Sequence, residues 1–276
     1  MSDGGRRSIH AGPRAARLPR ATAAVLAALL GLTLAGCAGG VDEPDASRGM
    51  PTSTLTVYAA ASLTEAFEEV ATRFEAEHPS IDVAPIVADG SSILARQIIE
   101  GARADVLATA DEATMASVED EGLLASEPRI FAENVALLAA PAGDSAGVVG
   151  LNGLTRPGVR LVVCAPDVPC GRAAHDLFEA AGLRVTAASE EQNVTGVLTK
   201  LTLGEADAGV IYGSDLVRAE GAVERLDTSA VPDVVSAYPI APVVGAADPA
   251  AADAFVAFVL GEAGQQVLVE FGFGVP

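Results

Sequence analysis

Residues 57–70, VYAAASLTEAFEEV, pass from an apolar strand to an amphipathic helix at a single residue, Ser62. Residues 57–61 form the short apolar run of a buried strand, and apolar residues then recur every three or four positions, as on one face of a helix. Ser62 can cap this helix, with Glu65 completing a capping box. A strand that leads directly into a capped helix is the repeating unit of α/β folds, so this stretch predicts that class.

The same alternation continues through the chain and predicts mainly parallel sheets covered by helices. The segments around 133–141 and 238–245 look like paired connections that carry the chain into a second domain and back. The predicted strands are 55–61, 81–88, 104–111, 133–143, 159–166, 208–215 and 238–247. The predicted helices are 62–79, 91–101, 171–182, 194–207 and two within 249–273.

The first 36 residues have the composition of an export signal and are set aside from the fold. Arginines precede an apolar run that is too short and too quickly ended for a membrane span. The run ends in Leu34-Ala35-Gly36-Cys37, which resembles the lipobox of bacterial lipoproteins. That resemblance implies cleavage before Cys37, a lipid on its sulfur and a flexible tether over residues 37–53. The alternative is an ordinary signal peptide with a chance cysteine.

The remaining 240 residues carry 12 basic and 36 acidic side chains, a net charge of −24. This charge argues against nucleic acid as a partner, because binding phosphate backbones needs clustered Lys and Arg. Strong acidity can also simply keep a protein soluble. Later apolar stretches are too short to cross a bilayer. We therefore expect a protein anchored by lipid on the extracytoplasmic face of the cell membrane.

Four strand-to-helix corners carry the candidate binding groups: Ser62, Ser91 with its neighbour Ser92, Cys170 and Val194. Unpaired backbone N–H groups and a partial positive charge make helix starts natural anion sites. The first two corners add hydroxyl groups, whereas the last two offer mainly backbone. A single corner of this kind is explained equally well as a plain helix cap, and spacing along the sequence does not show that the four corners meet.

Five motifs stand in order along the chain: AAASLTEAF at 59–67, GSSILARQIIEGARADVLATAD at 90–111, DVPCG at 167–171, NVTG at 193–196 and GVIYGSD at 209–215. With these motifs the chain from residue 54 onward resembles the molybdate-binding proteins of bacterial ABC importers. The resemblance implies an α/β fold of the two-lobed, class II periplasmic-binding-protein type, with a cleft between the lobes. It places lobe I at 54–137 plus 241–276 and lobe II at 138–240.

The resemblance also implies the residues that hold a tetrahedral oxyanion. Ser62 and Ser91 would each offer a hydroxyl and a backbone N–H, Cys170 and Val194 a backbone N–H, and Tyr212 its hydroxyl. All these groups can donate, which suits a fully deprotonated dianion such as molybdate, tungstate or sulfate. Hydrogen phosphate brings a proton that needs an acceptor, and would fit only if the Asp89 carboxylate reached the cleft.

Cys164 and Cys170 are six residues apart in a chain expected outside the cytoplasm, where an even pair of cysteines favours a disulfide. Two buried thiols are the plain alternative. A thiolate ligand to a metal is a third, although two sulfurs without neighbouring histidines do not make a zinc site. We expect the protein to need no cofactor and to bind the oxyanion without any side chain that coordinates the metal directly.

The resulting hypothesis is a monomeric solute-binding lipoprotein, not an enzyme, that delivers molybdate, and tungstate with it, to the permease of an ABC importer. One alternative is the same fold binding sulfate, phosphate, chelated iron or another ligand. Another is a serine hydrolase using Ser62 or Ser91, which would need a neighbouring base. The sequence has no G-x-S-x-G elbow, and neither His78 nor His175 adjoins a serine motif.

Overall fold

A computed structural model describes residues 52–143 and 147–276. The predicted signal peptide, Cys37 and residues 37–51 of the predicted tether lie outside these residues. Thr52 and Ser53, also assigned to the tether, already belong to the sheet structure, because Ser53 pairs with Ile81 and the Thr52 N–H donates to the Ser80 carbonyl.

Eleven strands and eight α-helices lie within the described part of the chain. The strands are β1 (Ser53–Leu55), β2 (Val57–Ala60), β3 (Ile81–Val83), β4 (Val87–Asp89), β5 (Val106–Ala108), β6 (Arg129–Pro141), β7 (Leu161–Cys164), β8 (Ser189–Glu191), β9 (Ala208–Tyr212), β10 (Val223–Arg225) and β11 (Val235–Pro242). The helices are α1 (Thr64–Glu77), α2 (Ser91–Ile99), α3 (Glu112–Asp120), α4 (Pro169–Ala180), α5 (Val194–Thr202), α6 (Gly213–Arg218), α7 (Pro249–Leu260) and α8 (Glu262–Glu270).

The main sheet has nine strands, eight of them in the order β4-β2-β5-β11-β6-β9-β7-β8, with β10 added beside β6. Two parallel sets, β4-β2-β5 and β9-β7-β8, form its ends. The long strands β6 and β11 lie between these sets and run antiparallel to their neighbours. The mainly parallel arrangement predicted from the sequence therefore holds within each set, and helices flank both.

Strands β6 and β11 are the two connections between the parallel sets. They pair with one another from Val235 opposite Val135 to Ile240 opposite Arg129, with an irregularity at Tyr238. Beyond this shared stretch, β11 pairs with β5 and β6 pairs with β9. Both crossings of the chain therefore run side by side in the middle of the sheet.

Buried apolar side chains form three clusters. One cluster draws on residues 136–223 and packs around β7, β9, α4 and α5. The other two draw on residues before 133 and after 237, around α1, α7 and α8 and around α2 and α3. In the larger of these, Phe74 packs edge-on against Phe255 and Phe258, so the predicted apolar face of α1 forms part of the core.

Several elements differ from the sequence prediction. The single strand predicted at 81–88 is two strands, β3 and β4, because the chain breaks around Pro85, whose ring leaves no N–H for a ladder. Helix α3 was not predicted, since only three of its residues are buried and its apolar period is weak. Strands β8 and β10 were also missed, and each has only three residues.

The segment predicted as one strand at 208–215 is also two elements, β9 and α6. The Asp215 carboxylate accepts the Tyr212 backbone N–H at 2.9 Å and so helps to start the helix. Among the described residues, no single helix is long and apolar enough to cross a membrane; the bent pair α7 and α8 reaches that length only together.

Candidate functional site

The four corners meet around one small cavity. Its volume is about 20 Å³, and a single water needs roughly 10–15 Å³, so the cavity is large enough to hold a small polar group. All five residues predicted to bind the ligand line it: Ser62, Ser91, Cys170, Val194 and Tyr212. The remaining lining residues are Ala60, Ala61, Gly90, Ala110, Pro169, Gln192 and Asn193.

The cavity lies in a cleft with two sides. We call α1, α2 and α3 with the loops before them the first side, and α4 and α5 with the loops before them, together with the end of β9, the second side. Ser62 and Ser91 come from the first side, whereas Cys170, Val194 and Tyr212 come from the second. None of the twelve described residues that line the cavity is charged.

Ser62 does not cap α1 as the sequence predicted. It lies in a short 3₁₀ turn, Ala61–Leu63, and makes no cap hydrogen bond. Its Oγ instead lies 3.0 Å from the Tyr238 hydroxyl, which comes from β11. The predicted capping box with Glu65 is therefore wrong, because a buried phenol takes up the hydroxyl that the box would have used.

Ser91 opens α2 at the second corner and is 2 % exposed. Its Oγ accepts the Ala110 backbone N–H at 3.0 Å, and Ala110 also lines the cavity. Since one lone pair of the hydroxyl is used in this way, its proton is available for donation to a ligand. Ser92, the neighbouring residue, points elsewhere and donates to the Asp167 carbonyl across the cleft at 3.1 Å.

Tyr212 contributes an unpartnered polar atom. The side chain is buried, and its hydroxyl makes no hydrogen bond within the described part of the chain. Burial raises the pKa of Tyr212 well above its ordinary value, and the nearby Ser236 side chain acts in the opposite direction. The phenol therefore stays protonated, and a buried O–H beside a cavity is a donor that lacks its acceptor.

The two remaining corners offer backbone N–H groups from the first turns of α4 and α5. Helix α4 begins at Pro169, so Cys170 is the first residue there with an N–H. Helix α5 begins at Val194, and the Asn193 side chain caps it by accepting the Gly196 N–H at 3.1 Å. First-turn N–H groups have no partner inside their own helix and carry the positive end of its dipole.

A disulfide joins Cys164 at the end of β7 to Cys170 in the first turn of α4, with the two Cα atoms 5.6 Å apart. In this structure neither sulfur is a free thiol or a thiolate metal ligand. Next to the bridge, a Cβ atom on Gly171 would lie 1.8 Å from the Ala165 carbonyl oxygen. The corner that presents the Cys170 N–H is therefore closed covalently and packed too tightly for any side chain at residue 171.

Charged groups surround the cavity without entering it. The Asp89 carboxylate accepts the Gly90 N–H at 2.7 Å and the Asn193 amide at 3.0 Å, so it bridges the cleft instead of facing the cavity. Behind the second side, burial raises the pKa of Asp215 to about 6, and Arg218, 2.6 Å away, opposes that shift. The cavity therefore offers donors, with no described carboxylate aimed at a bound anion.

The two sides of the cleft contact each other directly. Arg172 of the second side forms an ion pair with Asp111 of the first at 2.6 Å, and it also donates to Thr114 at 2.9 Å. The Gly90 backbone lies so close to Gln192 that a Cβ atom would be 2.5 Å from the Gln192 carbonyl oxygen. The structure is thus the closed form of the cleft.

Sequence reasoning missed Tyr238 and Asn134, which support the site from behind Ser62. Both are buried, and the Asn134 amide lies 3.4 Å from the Tyr238 hydroxyl and 2.8 Å from the Ser214 hydroxyl. The sequence marked Tyr238 and Asn134 only as one polar side chain in each of two apolar segments that were predicted to be paired. The two histidines among the described residues lie elsewhere, His78 stacked on Phe74 and His175 exposed on α4.

Comparison with known proteins agrees with this architecture. The family described as bacterial extracellular solute-binding protein matches residues 55–274. The molybdate-binding protein ModA of Mycobacterium tuberculosis is 40 % identical over 255 residues, which cover 91 % of this chain and 97 % of that protein. The ModA of Escherichia coli is 30 % identical over 231 residues, covering 80 % and 89 %.

Among solved structures, the substrate-binding domain of a putative molybdenum ABC transporter from Clostridium difficile superposes with a TM-score of 0.61 at 26 % identity, covering 82 % of this chain and all of that one. The sulfate-binding protein SubI of M. tuberculosis superposes with a TM-score of 0.71 at 17 % identity, covering 80 % and 86 %, and so shares the fold. The fold is that of the two-lobed periplasmic binding proteins, and the chain belongs to the bacterial extracellular solute-binding protein family.

Proposed function

We propose that the protein is an extracytoplasmic solute-binding lipoprotein that captures molybdate, and tungstate with it, for the permease of an ABC importer. The observation that carries the proposal is the uncharged cavity into which Ser62, Ser91 and Tyr212 bring hydroxyl groups and α4 and α5 bring their first turns. The names of the ModA relatives favour molybdate among the oxyanions. No bond is made or broken in this function.

Hydrogen-bond chemistry favours a dianion without a proton. The five predicted binding groups are donors, and the nearby Asp89 carboxylate does not line the cavity but accepts the Gly90 and Asn193 N–H groups at its Oδ1. Tungstate matches molybdate in shape and charge, so the same donors suit both. Sulfate has the same charge and stays the alternative ligand, supported by the shared fold of the sulfate-binding protein.

Affinity must arise at short range. A chain with a net charge of −24 after its leader does not attract a dianion through its overall field. Dipoles and hydroxyl groups in a closed, water-poor cleft act through a low effective dielectric, where each donor counts for more than in water. Ligand binding thereby favours the closed cleft, and the closed form is the state that a permease can recognise.

We further propose lobe I at 54–137 plus 241–276 and lobe II at 138–240. The separation of the apolar clusters supports this division, since one cluster lies within 136–223 and the other two lie outside it. Strands β6 and β11 would then form the hinge. We also propose a monomer held at the cell membrane by a lipid on Cys37, supported by the lipobox-like sequence at 34–37.

Isothermal titration calorimetry tests the function directly. Molybdate, tungstate, sulfate and phosphate are titrated at matched ionic strength; calorimetry suits a chain without Trp. We expect heat from molybdate and tungstate, with Kd values well below those for sulfate and phosphate. Tight binding of sulfate alone would keep the fold and replace the ligand, and no binding of any oxyanion would overturn the proposal.

Variants of the two serines test the site. Each hydroxyl would donate a charge-assisted hydrogen bond of about 1.5–3 kcal/mol, so Ser62→Ala and Ser91→Ala should each raise the Kd for molybdate roughly 10- to 150-fold. The control is Ser80→Ala, since the Ser80 side chain is exposed and does not line the cavity. Wild-type affinity in both cavity variants would contradict the assignment.

A further inference from the structure

The side chains of Asn134, Tyr238 and Ser62 form a hydrogen-bonded relay that ends at Ser62. Tyr238 is fully buried and Asn134 nearly so. The relay runs from the Asn134 side-chain amide to the Tyr238 hydroxyl at 3.4 Å, and from that hydroxyl to Ser62 Oγ at 3.0 Å. Neither Tyr238 nor Asn134 lines the cavity. Their influence on a ligand must therefore act through Ser62.

The orientation of the Asn134 side chain follows from its neighbours. Its Oδ1 accepts two backbone N–H groups, from Val135 at 3.1 Å and from Ser214 at 3.3 Å. Backbone N–H groups only donate, so the atom that faces them must be the oxygen. The Asn134 NH₂ group is then the donor to Ser214 Oγ at 2.8 Å and to the Tyr238 hydroxyl oxygen.

This orientation decides which way the Tyr238 hydroxyl points. Its oxygen already receives an N–H from Asn134, and burial raises its pKa, so the group keeps its proton. Among the described residues, Ser62 Oγ is the acceptor within reach of that proton. If Ser62 donated instead, a fully buried phenol proton would be left without an acceptor, which is unfavourable. Tyr238 therefore donates to Ser62.

Ser62 is thereby held in the role of a donor. Its oxygen receives the Tyr238 proton, and its own proton is left for the cavity. Ser91 is held in the same role by a different group, because its oxygen receives the Ala110 backbone N–H. Both serines of the first side thus present O–H protons, and neither needs to rotate when a ligand enters.

We propose that Tyr238 and Asn134 are positioning residues that fix Ser62 as a donor and so make the site select fully deprotonated oxyanions over protonated ones. The inference rests on the proposed function. Without the Tyr238 hydroxyl, Ser62 can turn its proton away from the cavity, into the space that the hydroxyl leaves, and offer a lone pair to the proton of a ligand such as hydrogen phosphate. With it, the same rotation would point the Ser62 proton at a hydroxyl that is itself donating to Ser62.

The test compares Tyr238→Phe with wild type and with Tyr58→Phe. The substitution keeps a ring that packs edge-on against Phe131 and Phe273, and Tyr58 is a buried tyrosine in a separate apolar cluster. Calorimetric Kd values for molybdate and for phosphate are measured at neutral pH. We expect the ratio of the phosphate Kd to the molybdate Kd to fall roughly tenfold in Tyr238→Phe, the scale of one hydrogen bond, and to stay unchanged in Tyr58→Phe.

A double variant separates positioning from packing. In a Ser62→Ala background the relay has no hydroxyl to orient, so adding Tyr238→Phe should leave the ratio unchanged. An unchanged ratio in the single variant, or an equal fall in the Ser62→Ala background, would overturn the positioning role while molybdate binding by the wild type stands. Absence of molybdate binding by the wild type would overturn the proposed function and the inference with it.

Discussion

Gly90 and Gln192 meet across the closed cleft so closely that a methyl group on Gly90 would lie 2.5 Å from the Gln192 carbonyl oxygen. The contact joins the two sides of the cleft, so opening the cleft would relieve a steric clash between residue 90 and Gln192. Because Gly90 has an ordinary negative φ of −56°, a larger residue is compatible with its backbone and conflicts only with the facing chain.

We expect Gly90→Ala to favour the open cleft and to raise the Kd for molybdate about 5- to 150-fold, the range that corresponds to an overpacking cost of roughly 1–3 kcal/mol. Calorimetry measures the affinity, and small-angle scattering measures the compaction on adding molybdate. Gly274→Ala is the matched control, since its Cβ would lie 3.4 Å from the nearest atom, an ordinary contact. Wild-type affinity and compaction in Gly90→Ala would refute the prediction.

Tyr212→Phe should separate ligand binding from folding. Its hydroxyl has no hydrogen-bond partner among the described residues, so removing it should leave the unfolding midpoint unchanged or slightly higher. The affinity for molybdate should fall roughly tenfold or more, since a donor to the anion is lost. Differential scanning calorimetry and titration give the two values. A lower midpoint with unchanged affinity would instead show that the hydroxyl stabilises the fold.

Asp111→Asn tests the ion pair that spans the cleft. Asn keeps an oxygen for the Thr114 N–H, which Asp111 accepts at 2.9 Å as the cap of α3, and removes the charge that faces Arg172. Because the pair is partly exposed, we expect a loss of only about 1 kcal/mol, or roughly fivefold in molybdate affinity.

The effect of Asp111→Asn should shrink at high salt, since salt screens the wild-type pair. The control is Arg73→Met, which removes two ion pairs, to Glu69 of α1 and to Glu270 of α8, whose residues do not line the cavity. A similar affinity loss in the control, or a loss independent of salt, would exclude the closing role of the Arg172–Asp111 pair.

Replacing both Cys164 and Cys170 by Ala should lower stability more than affinity. A disulfide that closes a loop of this length contributes about 2 kcal/mol in the chain-entropy account. For a chain of this size we expect the unfolding midpoint to fall by roughly 4–8 °C. Molybdate affinity should fall only a few-fold, because the contact that we propose for Cys170 is its backbone N–H, which Ala keeps. Two free thiols in the unreduced wild-type protein would show that the bridge does not form.

Local patterns were enough to predict the strand-to-helix corners. The apolar period of α1 and the start of α2 at Ser91 follow from residues within one or two helical turns. The convergence of five predicted residues on one cavity was different, since it rested on the resemblance of five motifs to a known family. Spacing along the chain could not have placed Ser62 beside Val194, because tertiary packing brings these corners together.

The role of Tyr238 could not be predicted for the same reason. It contacts Ser62 over a separation of 176 residues, and that contact replaced the local cap with Glu65. Helix α6 was missed because its six residues, Gly213–Arg218, are too few to show an apolar period, and the capping interaction between Asp215 and Tyr212 helps to start it. Where a polar side chain is buried, its partner in space decides its role.

The position of β11 in the sheet has a consequence for biosynthesis. Residues 240–242 of β11 pair with residues 106–108 of β5. The β4-β2-β5 set, which leads into Ser62 and Ser91, can therefore pair with β11 only after most of the chain has been made. Pairings over such long sequence separations fold slowly, because the intervening chain must first be ordered. We therefore expect the β4-β2-β5 set to complete its folding only when synthesis is nearly finished, which leaves this part of the nascent chain incompletely folded during the interval in which an exported protein must cross the membrane.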